Sequence, residues 1–372
     1  MKNQLSYILL SFSFIFSLTV SGCGDDLAAP EAEGELVPIT FSTSIRTSVS
    51  TEPAREAQTK AEVTPPPFPN SGNVAIVAAN GGSETTPTDW TTGNLFLSHA
   101  AATASTGTLI NGTTTYPINL PATTYWPFNP DKYLGFVAYS PASHTVLTNN
   151  GSTELTVTAN GSDKIFPDLL YTTPTLGHNK VSGKNGVSLG EFKHAMAKLV
   201  IKVTPIDAIT GEEVTGDAIK ELKIKKLDIQ TKVTTGKLDL KTSAWILTAP
   251  DDQASAIKMY TLVSADTALP YNSGGRGEYY LFPATNGVNT VELSQIGFTL
   301  KDGSITSVDK TYAISEFKNG ESESVKLEMG KITTLNIKVK VTSIEAGGDD
   351  NTTLEGTLID WVYKGNSDVT IE

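Results

Sequence analysis

The sequence predicts an all-β protein built from two β-sandwich domains. Apolar residues occur in short runs that alternate with polar residues, turn clusters rich in Gly, Asn and Ser separate these runs, and sustained helical periodicity is almost absent. Predicted strands do not alternate regularly with helices, as they would in an α/β fold. The 372 residues are enough for two domains of ordinary size, even without a leader.

Residues 1–22 have the pattern of a signal peptide. Lys2 supplies a small positive region, and residues 7–20 are almost wholly apolar or hydroxyl-bearing. This run is shorter than the roughly 20 apolar residues that span a bilayer. We therefore expect removal of residues 1–22 on export, in preference to a buried strand or a retained membrane anchor.

The only cysteine of the chain, Cys23, directly follows Val20-Ser21-Gly22. This pattern resembles the bacterial lipobox, in which the cysteine becomes the lipidated first residue. A single cysteine allows no internal disulfide. Each buried CH₂ of the acyl chains contributes about 0.8 kcal/mol, so several chains would anchor the protein in the outer membrane. Residues 23–35 are predicted to be an acidic tether, whose start resembles the surface-export tag of Bacteroidetes lipoproteins.

The first domain is predicted to span residues 36–190. Its first strand, at about 36–49, alternates apolar with hydroxyl residues, which places Ile39, Phe41 and Ile45 on the core side. Residues 50–72 form a polar, proline-rich stretch that we expect to be extended, exposed and cleavable. Further strands are predicted at 74–78, 95–97 and 133–139. The last of these is apolar on both faces and should lie centrally.

The second domain is predicted to span residues 191–372. Apolar residues alternate along 199–203 and most cleanly along 335–341, as in strands with one face in water. Between Ile224 and Leu227 the parity of the apolar positions shifts by one residue, which predicts a β-bulge. The chain closes with apolar runs at 358–363 and 369–371, separated by a Gly-Asn turn.

Two short motifs resemble catalytic ones but lack their context. A G-x-S-x-G pattern at 186–190 follows a loop, and the only later histidine, His194, is too near to complete a triad. Residues 177–184 suggest a phosphate-binding loop, but the glycine spacing is one residue too long and Asn185 replaces the required Ser or Thr. Neither motif predicts an active site.

The composition excludes several other functions. The four histidines have no metal-ligand spacing, and the Gly-Gly-Asp-Asp turn at 347–350 lacks the regular calcium-loop pattern. The net charge of −12 disfavours a nucleic-acid partner. We therefore expect no catalytic residue, no metal and no cofactor, and a protein that is not an enzyme.

Residues 192–199, with the sequence FKHAMAKL, resemble a segment of the fimbrillin family of Bacteroidetes, whose members carry a similar F-x-H-A-x-A-K-L pattern. Other segments that resemble the family occur along the chain in the order found in the family. They are YWP at 125–127, LGFVAYSP at 134–141, YLFP at 280–283, the strand at 334–341 and IDW at 359–361. Together they cover most of the mature chain.

The resemblance implies two tandem transthyretin-like β-sandwich domains and assembly into surface fimbriae, or pili, that support cell adhesion. It implies a lipoprotein precursor whose first strand is removed by a trypsin-like or Arg-specific protease. The vacated groove then accepts a strand from another fimbrial subunit. Unpaired backbone groups and an open apolar cleft favour such capture. Head-to-tail capture does not close on itself, so it builds a filament.

Two of the three arginines, Arg46 and Arg55, precede the core of the first domain. We favour cleavage at Arg55, which lies in the polar stretch, over Arg46 at the end of the first strand, with Lys60 as a third candidate. Candidate residues for the donated strand are Leu358, Trp361, Val369 and Ile371. These C-terminal residues equally suit completion of their own domain, and the sequence does not distinguish a shaft, tip or anchor subunit.

The alternative function is a surface lipoprotein that binds glycans without polymerising. Such a site needs exposed aromatic side chains, for which the candidates are Trp90, Tyr125, Trp126 and Trp245. Packing in the core is the competing role for most of them.

Overall fold

The structure is a computed structural model, and the residues that it describes are 36–45, 67–81, 89–110, 113–159, 166–206, 210, 212, 223–231, 233–248, 257–263, 269–270, 277–284, 291–299, 305–308, 312–317, 324–340 and 352–360. The predicted signal peptide and acidic tether lie outside these residues. No helix among the described residues is long and apolar enough to cross a membrane.

The regular secondary structure of the described chain is almost entirely β-strand, which confirms the predicted all-β class. Its helical content there is three short 3₁₀ turns, Asn70–Gly72, Thr92–Asn94 and Ile314–Glu316. The strands are β1 Phe41–Ile45, β2 Asn73–Gly81, β3 Leu95–Ala104, β4 Thr108–Ile110, β5 Thr113–Asn119, β6 Tyr133–Ser140, β7 Leu147–Asn149, β8 Glu154–Thr158, β9 Leu170–Tyr171, β10 Thr175–His178, β11 Val187–His194, β12 Ala197–Ile206, β13 Lys223–Thr231, β14 Thr235–Asp239, β15 Ala244–Leu247, β16 Ile257–Val263, β17 Leu269–Pro270, β18 Gly277–Leu281, β19 Val291–Thr299, β20 Ile305–Val308, β21 Tyr312–Ala313, β22 Lys331–Lys340 and β23 Thr352–Asp360.

The strands of the first half form a sheet that closes on itself. Its order is β1-β11-β9-β6-β2-β3-β5-β4, with β10 beside β6. β1 pairs with β11 on one edge and with β5 on the other, so the ring of strands has no gap between β11 and β5. We call this the closed sheet.

The central strands of the closed sheet are buried on both faces. In β2, Val74 and Ile76 belong to the core inside the closed sheet, whereas Ala75 and Val77 belong to a second core on its outer side. The same division holds along β6, which confirms the central position predicted for residues 133–139. Two layers of apolar packing therefore share these strands.

The second core is covered by a four-stranded sheet of order β15-β14-β8-β7. β8 pairs with β14 in antiparallel register, from Glu154 opposite Asp239 to Thr158 opposite Thr235. Strands from both sides of the predicted boundary at residue 190 thus share one sheet, and β11 itself runs through that boundary.

Two further sheets are formed by the second half. One has the order β18-β12-β22-β23, and the other has the order β16-β13-β19-β20, with β17 beside β13 and β21 beside β19. In β13, Ile224 lies opposite Phe298 and Lys226 lies opposite Gly297, so one residue between them is extra. This confirms the predicted β-bulge.

The segment 192–199 joins the sheets of the molecule. His194 Nδ1 lies 2.8 Å from Asp168 Oδ1, and both residues are largely shielded from solvent. Ala195 donates its N–H to Leu169 O at 2.7 Å and accepts the indole N–H of Trp245 at 2.7 Å. Met196 O accepts the N–H of Gly330 at 3.0 Å. The segment therefore links the closed sheet, the covering sheet and the turn before β22.

The predicted exposure of the whole stretch 50–72 is wrong at its end. Phe68 and Pro69 are buried, and the chain then turns at Asn70–Gly72 into β2. Asn70 Nδ2 donates to Asp168 O at 2.9 Å. Phe68 follows three consecutive prolines in the sequence, and its aromatic side chain packs in the core.

Candidate functional site

The candidate site is β1 and the groove that it occupies in the closed sheet. The exposed fractions of Ile39, Phe41 and Ile45 are 6%, 4% and 2%, so all three side chains lie in the core, as predicted. Thr43, between them on the same face, is also buried. Ser42 and Ser44 on the opposite face are only partly buried. The apolar and hydroxyl residues that alternate in the sequence therefore point alternately into the core and away from it along the strand.

The backbone of β1 is paired on both edges. Five consecutive residues lie in antiparallel register with β5, from Phe41 opposite Ile118 to Ile45 opposite Thr114. On the other edge β1 runs parallel to β11, with Phe41 opposite Val187 and Ile45 opposite Phe192. Antiparallel pairing is slightly more stable per residue. The β5 edge is thus the more regular edge of the groove.

A bulge interrupts the parallel edge. Ser42 lies opposite Ser188 but Ser44 lies opposite Glu191, so β11 carries one extra residue. Gly190 has a φ of +80°, a conformation that favours glycine. The hydroxyl of Thr43 donates to Gly190 O at 2.7 Å and so satisfies a carbonyl beside the irregular ladder.

Aromatic rings line the groove beneath β1. The rings of Phe41 and Phe136 meet edge to face, with centroids 5.3 Å apart. Phe68 packs in the same way against Tyr116 and Phe192, at 5.2 and 5.3 Å. Burial of one large apolar side chain contributes roughly 1.5–3 kcal/mol. The three apolar residues of the strand together therefore contribute on the order of 5–9 kcal/mol.

Residues 36–40 extend the pairing ahead of β1. Ile39 donates its N–H to Thr124 O at 2.7 Å, and Val37 O accepts the N–H of Trp126 at 3.0 Å. Pro38 forms an isolated bridge with Tyr125. The strand predicted at about 36–49 is thus an irregular lead-in followed by β1, because a proline cannot donate to a ladder. Residues 46–49 lie outside the described residues.

Leu358, the one other candidate among the described residues, is not brought to the groove. Leu358 lies in β23, opposite Thr333 of β22, where its strand completes a sheet of its own chain. Cys23, Arg46, Arg55, Lys60, Trp361, Val369 and Ile371 lie outside the described residues. The lipidation site, the cleavage sites and the remaining donor residues therefore stay predictions.

The row of exposed aromatic residues proposed for glycan binding is absent from the described part of the chain. Trp126 and Trp245 are exposed by only 3% and 5%, so both are core residues. Tyr125 is exposed beside the lead-in, and Trp90 is half-buried at a different place, ahead of β3. The competing role in the core is confirmed for Trp126 and Trp245.

The G-x-S-x-G motif at 186–190 does not have the geometry of a nucleophile elbow. Ser188 lies within β11 on an exposed position instead of a strand-to-helix turn, and its hydroxyl accepts the N–H of Gly190 at 3.4 Å. His194, the only histidine that follows this motif in the sequence, forms a hydrogen bond with Asp168. Among the described residues, no group of three His, Cys, Asp or Glu side chains is placed to hold a metal ion.

Sequence reasoning missed Phe68 as part of the groove. The residue stands alone in a proline-rich stretch, so no periodicity marks it as a core residue. An isolated aromatic residue directly before a predicted strand is the one feature that could have indicated its burial.

Comparison with known proteins identifies the family. A family model described as fimbrillin-like matches residues 59–361, which is most of the chain and begins after β1. No curated protein sequence matches the chain.

A search of solved structures found matches over most of the chain at low sequence identity. A candidate cell adhesion protein from Bacteroides uniformis ATCC 8492 is 16% identical over 88% of this chain and 98% of that chain, with a TM-score of 0.49. A fimbrial assembly protein from Parabacteroides distasonis ATCC 8503 is 12% identical over 88% and 96%, with a TM-score of 0.41. The C-terminally truncated tip fimbrial protein Mfa3 from Porphyromonas gingivalis is 11% identical over 87% and 100%, with a TM-score of 0.36.

Proposed function

The chain belongs to the fimbrillin-like family, and from this premise we propose that it is a fimbrial subunit or accessory subunit that assembles by strand exchange and supports cell adhesion. A protease removes β1, and a strand from another subunit enters the vacated groove. The single observation that carries the proposal is the position of β1, paired on both edges and packed through Ile39, Phe41 and Ile45 into the core.

Loss of β1 would leave a groove with a strong tendency to be filled. The facing edges of β5 and β11 would lose their backbone partners, and Phe136 and Phe192 would lose contacts with apolar side chains. A strand with apolar residues at every second position restores both interactions. The intact precursor is protected because its own strand occupies the groove.

The proposal includes maturation at the cell surface. Lipidation of Cys23 anchors the precursor in the outer membrane, and a trypsin-like or Arg-specific protease cleaves at Arg55, with Arg46 as the alternative. Cleavage on the C-terminal side of β1 detaches the strand from the covalent chain, so it remains bound only through its contacts. The proposal keeps the finer architecture that the resemblance to fimbrillins implies, two tandem transthyretin-like domains.

The donor strand is proposed to come from the C-terminal region of another subunit. Val369 and Ile371 lie two positions apart in the sequence. The inward-facing residues of β1, Phe41, Thr43 and Ile45, have the same spacing. β23 is held by β22 over nine paired positions. We therefore place the donated residues after Asp360. A chain ending at Asp360 should keep its groove but donate no strand.

The first experiment tests maturation. Limited trypsin treatment of the purified precursor should cleave after Arg55 and yield oligomers on size-exclusion chromatography. Arg55→Ala should prevent the main cut, with Arg46→Ala and Lys60→Ala tested in parallel. Arg276→Ala is the matched control, since it removes the third arginine and should leave both the cut and the oligomers unchanged. Cut protein that stays monomeric would contradict the proposal.

The second experiment tests the exchange of β1 directly. Ser44 lies opposite Thr115 in antiparallel register. Opposite Cα atoms in such pairs are about 4.5–5.5 Å apart, which suits a disulfide. In a Cys23→Ser background, Ser44→Cys with Thr115→Cys should lock β1 in place. Cut, locked protein should stay monomeric until a reductant is added, whereas cut Ser44→Cys protein should polymerise under both conditions. Filaments formed from the locked protein would exclude strand exchange at this groove.

A further inference from the structure

A pocket of about 410 Å³ lies on the covering sheet, away from β1. Three segments form its walls: residues 89–91 before β3, residues 152–154 at the start of β8, and residues 239, 241 and 246 of the β14–β15 hairpin. Its volume is within the range of about 300–1,000 Å³ that is typical of ligand pockets. The proposed strand exchange uses none of these residues.

The walls of the pocket are fixed by hydrogen bonds. The hydroxyl of Thr92 donates to Gly151 O at 2.5 Å, which fastens the first segment to the second. Asp239 accepts the N–H of Lys241 at 3.0 Å and the hydroxyl of Thr242 at 3.1 Å, which orders the hairpin. A pocket with ordered walls loses less conformational entropy when a ligand binds.

The carboxylates of the pocket are also held in place. Asp89 accepts both the hydroxyl and the N–H of Thr91, at 2.7 and 2.8 Å, and these bonds lower its pKa, with a smaller contribution from the charge of Lys241. Glu154 accepts bonds from Lys237 and Asn150 at its Oε1 atom, and these lower its pKa as well. Each carboxylate oxygen can accept more than one hydrogen bond, so both groups retain acceptor capacity.

The remaining lining provides donors and apolar surface. Lys241 contributes an ammonium group, and Ser152 contributes a hydroxyl group that can donate and accept. Trp90 presents an aromatic side chain that is half-buried against the second core. Ile246, with 61% of its surface exposed, contributes an aliphatic side chain. The pocket therefore combines acceptors, a donor and apolar contact area.

We propose that this pocket binds a neutral sugar residue of a surface glycan. Sugar hydroxyls donate to the carboxylates of Asp89, Glu154 and Asp239 and accept from Lys241. The apolar C–H face of the sugar ring packs on Trp90 and Ile246. The proposal goes beyond assembly of the fimbria, because it gives the subunit an adhesive site that is independent of the groove.

The mixture of charges disfavours the other ligand classes. The three carboxylates outnumber the two ammonium groups, that of Lys241 in the pocket and that of Lys237 bonded to Glu154, so the net negative charge disfavours an acidic sugar or a phosphate. A Lys or Arg side chain from a partner protein offers donors only, so it would leave Lys241 facing another cation. A neutral polyol is the class whose hydroxyl groups match both kinds of protein group.

The test uses the full precursor with Cys23→Ser to prevent lipidation. Binding is measured on an array of neutral oligosaccharides of hexoses and N-acetylhexosamines, with sialylated glycans and a lysine-rich peptide as the competing probes. We expect binding to at least one neutral glycan and to neither competing probe. Binding only to the lysine-rich peptide, or no binding to any neutral glycan, would overturn the proposal.

Variants then locate the binding site. Asp89→Asn and Trp90→Ala should each weaken binding by about tenfold or more, which corresponds to about 1.4 kcal/mol. Ile246→Ser, at an exposed position, should also weaken binding and tests the apolar wall if Trp90→Ala fails to fold. Glu191→Gln is the matched control, because it makes the same kind of change on the exposed face of β11.

Unchanged affinity in Asp89→Asn and Ile246→Ser would exclude this pocket. The result is separable from the assembly proposal, because trypsin-induced oligomerisation of the same variants is expected to be normal. Failure of polymerisation with intact glycan binding would contradict the strand exchange alone.

Discussion

At the scale of single residues, close packing around β1 depends on positions that the sequence pattern does not mark. Gly183 lies against the indole ring of Trp126, and a Cβ atom added there would overlap the ring at Trp126 Cζ2. Trp126 in turn is buried and contacts Phe136 edge to face, with centroids 6.0 Å apart. A side chain at position 183 therefore requires the buried ring of Trp126 to shift.

Gly183→Ala should destabilise the protein by about 1–3 kcal/mol, the usual cost of overpacking a core. The measurement is the urea midpoint of unfolding, followed by tryptophan fluorescence. Gly93→Ala is the control, because no heavy atom lies within 4 Å of the added Cβ. Equal midpoints for the two variants would mean that the Trp126 ring shifts without cost.

At the scale of elements, β1 is a strand whose two faces have different roles. Phe41 reaches the aromatic lining of the groove, whereas Ser42 lies on the outer face and is partly exposed. The strand is short, so each inward side chain supplies a large share of the contacts that keep it in place. Weakening one of them should loosen the strand without changing its backbone pairing.

Phe41→Ala should lower the free energy of unfolding of the precursor by about 3–5 kcal/mol, as expected for a buried Phe. Ser42→Ala, the neighbouring control, should change it by less than about 0.5 kcal/mol. After trypsin cleavage, Phe41→Ala should also polymerise faster than the control because its strand leaves the groove more readily. A polymerisation rate equal to that of Ser42→Ala would show that release of β1 does not limit assembly.

At the scale of the whole molecule, buried titratable groups limit the pH range of stability. Burial lowers the pKa of His99 and of His178, and it raises the pKa of Tyr139 to about 12. His99 Nδ1 lies 3.1 Å from the hydroxyl of Tyr139, so two of these groups are neighbours on the closed sheet. In the folded state both histidines favour the neutral form and Tyr139 favours the protonated form.

Stability should therefore be lost on both sides of neutrality. As the pH falls through about 6.5, the unfolded chain binds protons that the folded histidines do not, and the free energy of unfolding decreases. Above about pH 10 the unfolded tyrosine releases a proton that folded Tyr139 keeps, and stability decreases again. Urea midpoints between about pH 5 and 8 test the acid side. His99→Asn, which tolerates the positive φ of 49° at this position, should show a shallower decrease; an identical slope would contradict the role of His99.

Local patterns in the sequence predicted the elements well. The alternation along 38–45 predicted the inward side of β1, and the two-sided apolar run at 133–139 predicted a central strand. The parity shift near residue 225 predicted the bulge in β13. Each of these features depends on the period of a strand, which is a property of consecutive residues. The candidate groove residues Ile39, Phe41 and Ile45 were predictable for the same reason.

The sequence by itself determined the all-β class, the short strands and the residues that face the core, because side-chain alternation is encoded locally. Only the tertiary structure decided which strands are neighbours: that β1 closes the sheet between β5 and β11, that β8 pairs with β14, and that Phe68 and Trp126 pack around the groove. These pairings join residues far apart in the chain. They are set by shape and by the burial of both faces at once, and no repeat in the sequence records them.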